Sequence, residues 1–173
     1  MFELSRIPVL DTERLRLRGF ADRDLAALTA MNADPETVRY LGTGEPLDEM
    51  GSWRQLATFI GHWAMKGHGF FAVEERGTGV FVGRVGFLHP ATWPELELAW
   101  TIARPYWGKG YASEATTVAR DWGFSTLGLK RVASFIHPEN ARSIRVAEKI
   151  GEKPDGRVTL FGKDVLRYAI ERP

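Results

Sequence analysis

Between Glu95 and Ala115 the chain reads ELELAWTIARPYWGKGYASEA, and this run limits the possible folds more than any other. Leu96, Leu98, Trp100 and Ile102 alternate with Glu97, Ala99 and Thr101, the period-two signature of a strand with one apolar face. Pro105 has no N–H for a ladder and biases Arg104 toward extended backbone, so pairing should stop near there. From Ala112 onward, Ala115, Val118, Ala119 and Trp122 recur at helical spacing, which opens a helix at or just after Gly110. The first turn of a helix has N–H groups without intrahelical acceptors and carries partial positive charge, so it attracts anions. Gly108 and Gly110 remove side chains that would hold a phosphate away, and Lys109 can add charge at the rim. The same residues also suit an ordinary connection between a strand and a helix.

Two better-known phosphate loops are excluded. Neither Gly108-Lys109 nor Gly162-Lys163 is followed by Ser or Thr, as a Walker loop requires, and Ser113 stands where a dinucleotide fingerprint needs its third glycine. Gly67-His68-Gly69 leads into a strand rather than a helix.

The 173 residues, 44% hydrophobic, suit one domain spanning residues 1–173. Lysine and arginine number 23 against 22 acidic residues, a net charge of +1, which argues against a basic face for nucleic acid. There is no cysteine, which excludes disulfides, thiolate metal sites and a cysteine nucleophile and suits a reducing cytoplasm. No apolar run reaches membrane length, and the four histidines show no ligand spacing, so neither a membrane partner nor a metal is expected.

Along the chain, Arg14 to Arg18 reads as a strand with Leu15 and Leu17 inward. Asp22 is expected to cap a short helix bearing Leu25, Leu28 and Met31, and Asp34-Pro35 to start another. Glycines 42 and 44 with Pro46 mark a loop. Trp53, Leu56, Ile60 and Trp63 predict an amphipathic helix ending at Gly67 to Gly69, its tryptophans in the core. Phe70 to Glu74 and Val80 to Leu88 flank the hairpin signal Gly77-Thr78-Gly79. Arg131 to His137 is a strand parallel to Glu95 to Ile102, Glu139 to Lys149 the last helix, and Val158 to Phe161 with Val165 to Ile170 a closing hairpin. Arg142, Arg145 and Lys149 form a basic stripe on that helix, read as a solvated face. The fold class is α+β: a mixed, mostly antiparallel sheet of about seven strands, with one parallel pair and helices on both faces.

Trp107 to Ala112 resembles the Q/R-x-x-G-x-G/A loop of the GNAT superfamily of N-acetyltransferases, with Trp107 where Gln or Arg is usual. The longer run P-x-W-G-K-G-Y-A-S-E-A is similar to the Rim-type branch, which acetylates ribosomal-protein N-termini. Thr12 to Arg18, Gly83-Arg84-Val85-Gly86-Phe87 and Asn140-Ala141-Arg142-Ser143 resemble further segments of that branch, in the expected order.

The resemblance implies acetyl-coenzyme A as co-substrate and a primary amine, on a peptide N-terminus or a small molecule, as acceptor. It implies that the parallel strands part around the pantetheine arm, with Ile102, Ala103, Trp107, Gly108, Lys109, Gly110, Tyr111, Ala112, Ser113, Asn140 and Ser143 binding the cofactor. A backbone N–H near Thr101 to Ala103 would polarise the thioester. Glu97 matches a glutamate of the branch and would act as base or position the amine, although its alternation with leucines equally suits a solvated strand face. The tyrosine acid that many members carry in the final helix is replaced by Ala147, which leaves Ser143 to donate to the thiolate, or Asn140 and Ser143 simply to start a helix. That missing tyrosine and Trp107 are also compatible with a non-catalytic acyl-coenzyme A sensor. Exposed strand edges and many aromatics suit a homodimer.

Overall fold

The computed structural model describes residues 7–173. Eight strands form one sheet: β1 (Leu10–Asp11), β2 (Leu15–Arg18), β3 (Phe70–Glu75), β4 (Phe81–Leu88), β5 (Glu97–Ile102), β6 (Arg131–Ile136), β7 (Lys153–Leu160) and β8 (Lys163–Glu171). Their spatial order is β1-β2-β3-β4-β5-β6-β8-β7, and every neighbouring pair is antiparallel except β5 and β6. The strand beyond the seven expected is β1, whose two residues are too short to leave a periodic signal.

Five helices accompany the sheet: α1 (Leu25–Ala33), α2 (Pro35–Val38), α3 (Glu49–Lys66), α4 (Tyr111–Ser125) and α5 (Ala141–Lys149). Ala115, Ala119 and Trp122 of α4 pack on Leu15, Val85, Phe87 and Leu98, so α4 covers one face. Leu28 and Met31 of α1 with Leu56 and Phe59 of α3 pack on Phe70, Ala72 and Ala99 on the other. The central strands are thus covered twice, and among the described residues no helix is long and apolar enough to cross a membrane.

Two local expectations change. Asp22 to Asp24 is a single 3-10 turn, and it is the Asp24 carboxylate that accepts from Ala21 N–H at 2.9 Å. Both Asp24 oxygens also accept from the Arg18 guanidinium at 2.8 Å, and this fork draws Asp24 rather than Asp22 inward. Trp63 is buried, but Trp53 is 51% exposed. At about 100° per residue, Trp53 lies roughly 90° round α3 from the stripe formed by Leu56, Phe59 and Trp63.

Candidate active site

The glycine turn is built as a cradle of donors. After a 3-10 turn at Arg104–Tyr106, Gly108 and Gly110 adopt left-handed φ of 78° and 80°, a conformation that L side chains resist. Gly110 caps α4. The backbone N–H groups of residues 108 to 113 reach no acceptor among the described residues, and the first α4 bond runs from Glu114 N–H to Gly110 O. Such a run of free N–H groups at a helix start, with a glycine where a Cβ would meet nothing within 4 Å, suits an anion.

Glu114 fixes this turn to β2. Its carboxylate accepts from Thr12 Oγ1 at 2.6 Å, Arg14 N–H at 3.0 Å and Arg14 Nε at 2.8 Å, while Arg14 Nη1 donates to Lys109 O at 2.9 Å. The T-E-R and S-E-A segments therefore work together across the fold, a pairing that sequence spacing could not show.

A cavity of about 590 Å³ opens in front of the cradle. Ile102, Trp107, Gly108, Gly110, Ala112, Ser113, Asn140 and Ser143 line it, as does the backbone side of Tyr111, whose hydroxyl turns away to donate to Glu75 at 2.6 Å. The Lys109 and Ala103 side chains are not part of its lining. The Lys109 ammonium lies 3.9 Å from Glu75, and Ala103 spends its N–H on Val82 O at 2.8 Å and its C=O on Tyr106 N–H at 2.9 Å. Ile144 and Ala147 hold α5 against Ile136, Leu166 and Tyr168, which places Arg142, Arg145 and Lys149, all solvent-exposed, along the rim of the cavity. Trp107 donates its only polar hydrogen to Ile102 O at 2.6 Å and receives the Arg142 guanidinium on its face at 4.1 Å. It therefore has no side-chain donor left for a phosphate, and the three α5 cations stand at the cavity in place of the N–H donors that Gln or Arg would bring at position 107.

β5 and β6 share one ladder pair, Glu97 with Ala133. Beyond it, side chains replace the ladder: Ser134 Oγ lies 2.7 Å from Leu98 O, and Phe135 N–H supports the Glu97 carboxylate. Because Ala103 N–H points to β4, strand alternation turns the N–H groups of Trp100 and Ile102 toward the gap. The expected polarising donor is thus confined to Ile102 within the Thr101 to Ala103 segment, joined by Trp100.

Glu97 begins β5 and is 8% exposed, not solvated, because α1 and α3 cover its face. It lines a second cavity of about 320 Å³ together with Arg84 and Trp93. The Trp93 indole donates to its Oε2 at 2.7 Å. Burial pushes the Glu97 carboxyl up to about 7, against the pull of Trp93, Phe135 N–H and the Arg84 charge. Such a group can accept a proton near neutral pH. The two cavities share Tyr40, Leu41, Trp100 and Thr101, so they adjoin there. Tyr40, stacked on His137 at 4.9 Å, was not singled out from sequence because no motif surrounds it.

Asn140 Oδ1 accepts from Ser143 N–H at 3.2 Å, so the pair does start α5. The Ser143 hydroxyl, unlike its N–H, bonds to nothing among the described residues and faces the larger cavity. Ala147 is fully buried among Ile136 and Tyr168, which closes the position of the usual tyrosine acid. Among the described residues no group of three or more His, Cys, Asp or Glu is placed to hold a metal.

Residues 14–153 match the acetyltransferase (GNAT) domain. The chain is 32% identical over 154 residues to the uncharacterised N-acetyltransferase YoaA of Bacillus subtilis, covering 86% of this chain and 85% of that one. An acetyltransferase structure from Agrobacterium tumefaciens superposes with a TM-score of 0.85 at 35% identity, over 96% of this chain and 95% of the other. RimL, a ribosomal L7/L12 α-N-protein acetyltransferase solved with coenzyme A, shares the fold at a TM-score of 0.79 and 14% identity, over 95% and 98% of the two chains. With the donor cradle, the parted strands and a buried carboxyl in the adjoining smaller cavity, these likenesses lead to one conclusion: the chain belongs to the GNAT acetyltransferase family and is an acetyl-coenzyme A-dependent N-acetyltransferase.

Proposed function

We propose that the larger cavity holds acetyl-coenzyme A and the smaller one a primary amine, and that the two react directly in a ternary complex. The observation that carries this reading is the junction at Tyr40, Leu41, Trp100 and Thr101, with free N–H groups on one side and Glu97 on the other. With no cysteine in the chain, a thiol acyl-enzyme is impossible. Residues 108 to 113 would take the pyrophosphate, and Arg142, Arg145 and Lys149 would offset the cofactor's remaining charge. The N–H groups of Trp100 and Ile102 are the donors available to amide or thioester oxygens in the gap. Acetyl-coenzyme A supplies the acetyl group as a thioester; Glu97 takes a proton from the amine as the C–N bond forms, and Ser143 Oγ–H stands as donor to the departing thiolate. The P-x-W-G-K-G-Y-A-S-E-A run also supports placing the chain near the Rim-type branch.

The test is a thermal shift with acetyl-coenzyme A, coenzyme A, NAD and ATP, on the native chain and on Gly110→Glu, whose carboxylate would repel a pyrophosphate. A ligand at 100 times its dissociation constant adds about 2.7 kcal/mol of stability. Stabilisation by the two coenzyme A species alone, absent in the variant, is the expected result. Stabilisation by NAD or ATP instead would overturn the assignment.

A further inference from the structure

The smaller cavity contains a cation for which the reaction described above has no use. Arg84 stands in β4 opposite Thr101, four residues before Leu88, which pairs with Glu97; Gly86 pairs with Ala99 between them, so Arg84, Ala99, Thr101 and Glu97 share one face of the sheet. It is 8% exposed. Its guanidinium carbon lies 4.3 Å from the ring centre of Phe70 and 5.1 Å from that of Phe59. Its Nε is buried without a partner, and among the described residues no hydrogen bond or ion pair reaches any of its guanidinium nitrogens. Burial lowers its pKa to about 10, which leaves it charged at neutral pH.

A guanidinium so nearly buried, with unused donors, is costly unless an anion meets it. Glu97 is the charge that acts on Arg84, but from beyond ion-pairing distance, and one of its oxygens already accepts from Trp93. Once Glu97 takes the amine's proton it is neutral, and Arg84 is left without a counter-charge at that stage of turnover. The remaining requirement falls on the acceptor. The cavity, about 320 Å³, lies at the small end of ligand sites, and Phe59, Phe70, Leu88 and Trp93 make much of its wall apolar.

On the reading of this cavity as the acceptor site, we propose that Arg84 anchors a carboxylate of the acceptor, which is a small amino-carboxylate with an apolar side chain whose amine is directed to Glu97. The planar guanidinium fork suits a carboxylate in a two-bond arrangement. A polyamine would bring a second cation toward Arg84. A protein N-terminus carries a peptide amide where the carboxylate is needed.

Binding and turnover test this together. The coenzyme A complex is titrated calorimetrically with propanoate, 4-methylpentanoate and 3-phenylpropanoate, each against its neutral carboxamide. At least one carboxylate should bind ten- to a hundredfold tighter than its amide, and Arg84→Met should abolish that preference without changing coenzyme A affinity. In turnover with acetyl-coenzyme A, leucine, methionine and phenylalanine should be preferred over their carboxamides, their decarboxylated amines and spermidine by a similar factor, expressed mainly in KM. Arg84→Met should melt no lower than the native chain, since it removes an unpaired buried charge. If it does not fold, Arg84→Lys, which keeps the charge without the fork, should retain part of the preference. Equal binding of acid and amide, no binding of any carboxylate, or equal turnover of the decarboxylated amines overturns the proposal. If coenzyme A itself fails to bind, the acetyl-transfer assignment of the cavities falls first; if it binds and the carboxylates do not, only the role of Arg84 falls.

Discussion

Glu95 and Glu97 sit two residues apart and have opposite fates. Glu95 lies just before β5, where Arg167 approaches one oxygen at 3.3 Å and Arg131 the other at 3.5 Å, so its charge is held by partners outside the site. Glu97 is inside the strand, and burial raises its pKa to about 7. A base must be ionised to act, so kcat/KM should rise with pH through about 7 and then level. Glu97→Gln keeps the size and removes the base: kcat/KM should fall about 10²–10⁴-fold, and the limb near neutrality should vanish. Profiles measured from pH 5.5 to 9 decide this, and full turnover of the variant at neutral and alkaline pH would remove Glu97 from the mechanism. The alternation of residues around 97 could not separate the two carboxylates, because period two assigns a face and says nothing about whether helices cover it.

At the scale of elements, strand spacing rather than side-chain chemistry explains the Gly83-Arg84-Val85-Gly86 segment. A Cβ on Gly86 would lie 2.2 Å from Gly69 O, and one on Gly83 would lie 2.3 Å from Thr101 O. Both obstacles are backbone, so neither can move as a side chain would. Gly86→Ala should cost about 1–3 kcal/mol, toward the upper end of that range, measured by chemical denaturation. An unchanged midpoint would show that β3 and β4 can separate locally. The elements themselves were largely legible: β5, the glycine turn and α4 fall where periodicity and punctuation put them, and Asn140 caps α5 as its type suggests. The basic stripe is exposed, as its spacing suggests, but the site it borders is not legible from spacing. Helical spacing shows that Arg142, Arg145 and Lys149 share a face, while the packing of Ala147 decides where that face points.

For the molecule as a whole, a buried acid couples stability to pH. Glu152 is 2% exposed, and its Oε2 has no partner. Ser134 Oγ is 2.7 Å from Leu98 O and 3.0 Å from Glu152 Oε1. Its single proton can serve only one of them, and the Leu98 carbonyl can only accept, so the bond to Glu152 is best made by a protonated carboxyl. Burial, against the weaker pull of Ser134 and Arg120 and with a push from Glu97, raises Glu152 to about 8. A raised acid binds its proton more tightly when folded, so this contribution is complete below the unfolded value of 4.5 and is lost as pH rises through about 8. Glu97 has the same sign over a window ending near 7. Each group adds a slope of at most about 1.4 kcal/mol per pH unit. Glu152→Gln cannot ionise and can still donate to Ser134, so its stability should decline less steeply than the native chain's between pH 6 and 9. Equal slopes in urea titrations would show that Glu152 is already charged.

The sequence by itself determined the local conformations, since periodicity, proline, glycine and capping residues act through the nearest few peptide groups. It therefore carried the strand, turn and helix of the cofactor cradle, and the order of segments that the family shares. The tertiary structure alone decided which charges are dry. Glu97, Glu152 and Arg84 are ordinary ionisable residues until α1, α3 and the neighbouring strands exclude water from them, and desolvation is a property of everything packed around a group rather than of its neighbours in the chain. The same packing joined Thr12 and Arg14 to Glu114 across some hundred residues, and set two cavities side by side at Tyr40 and Trp100.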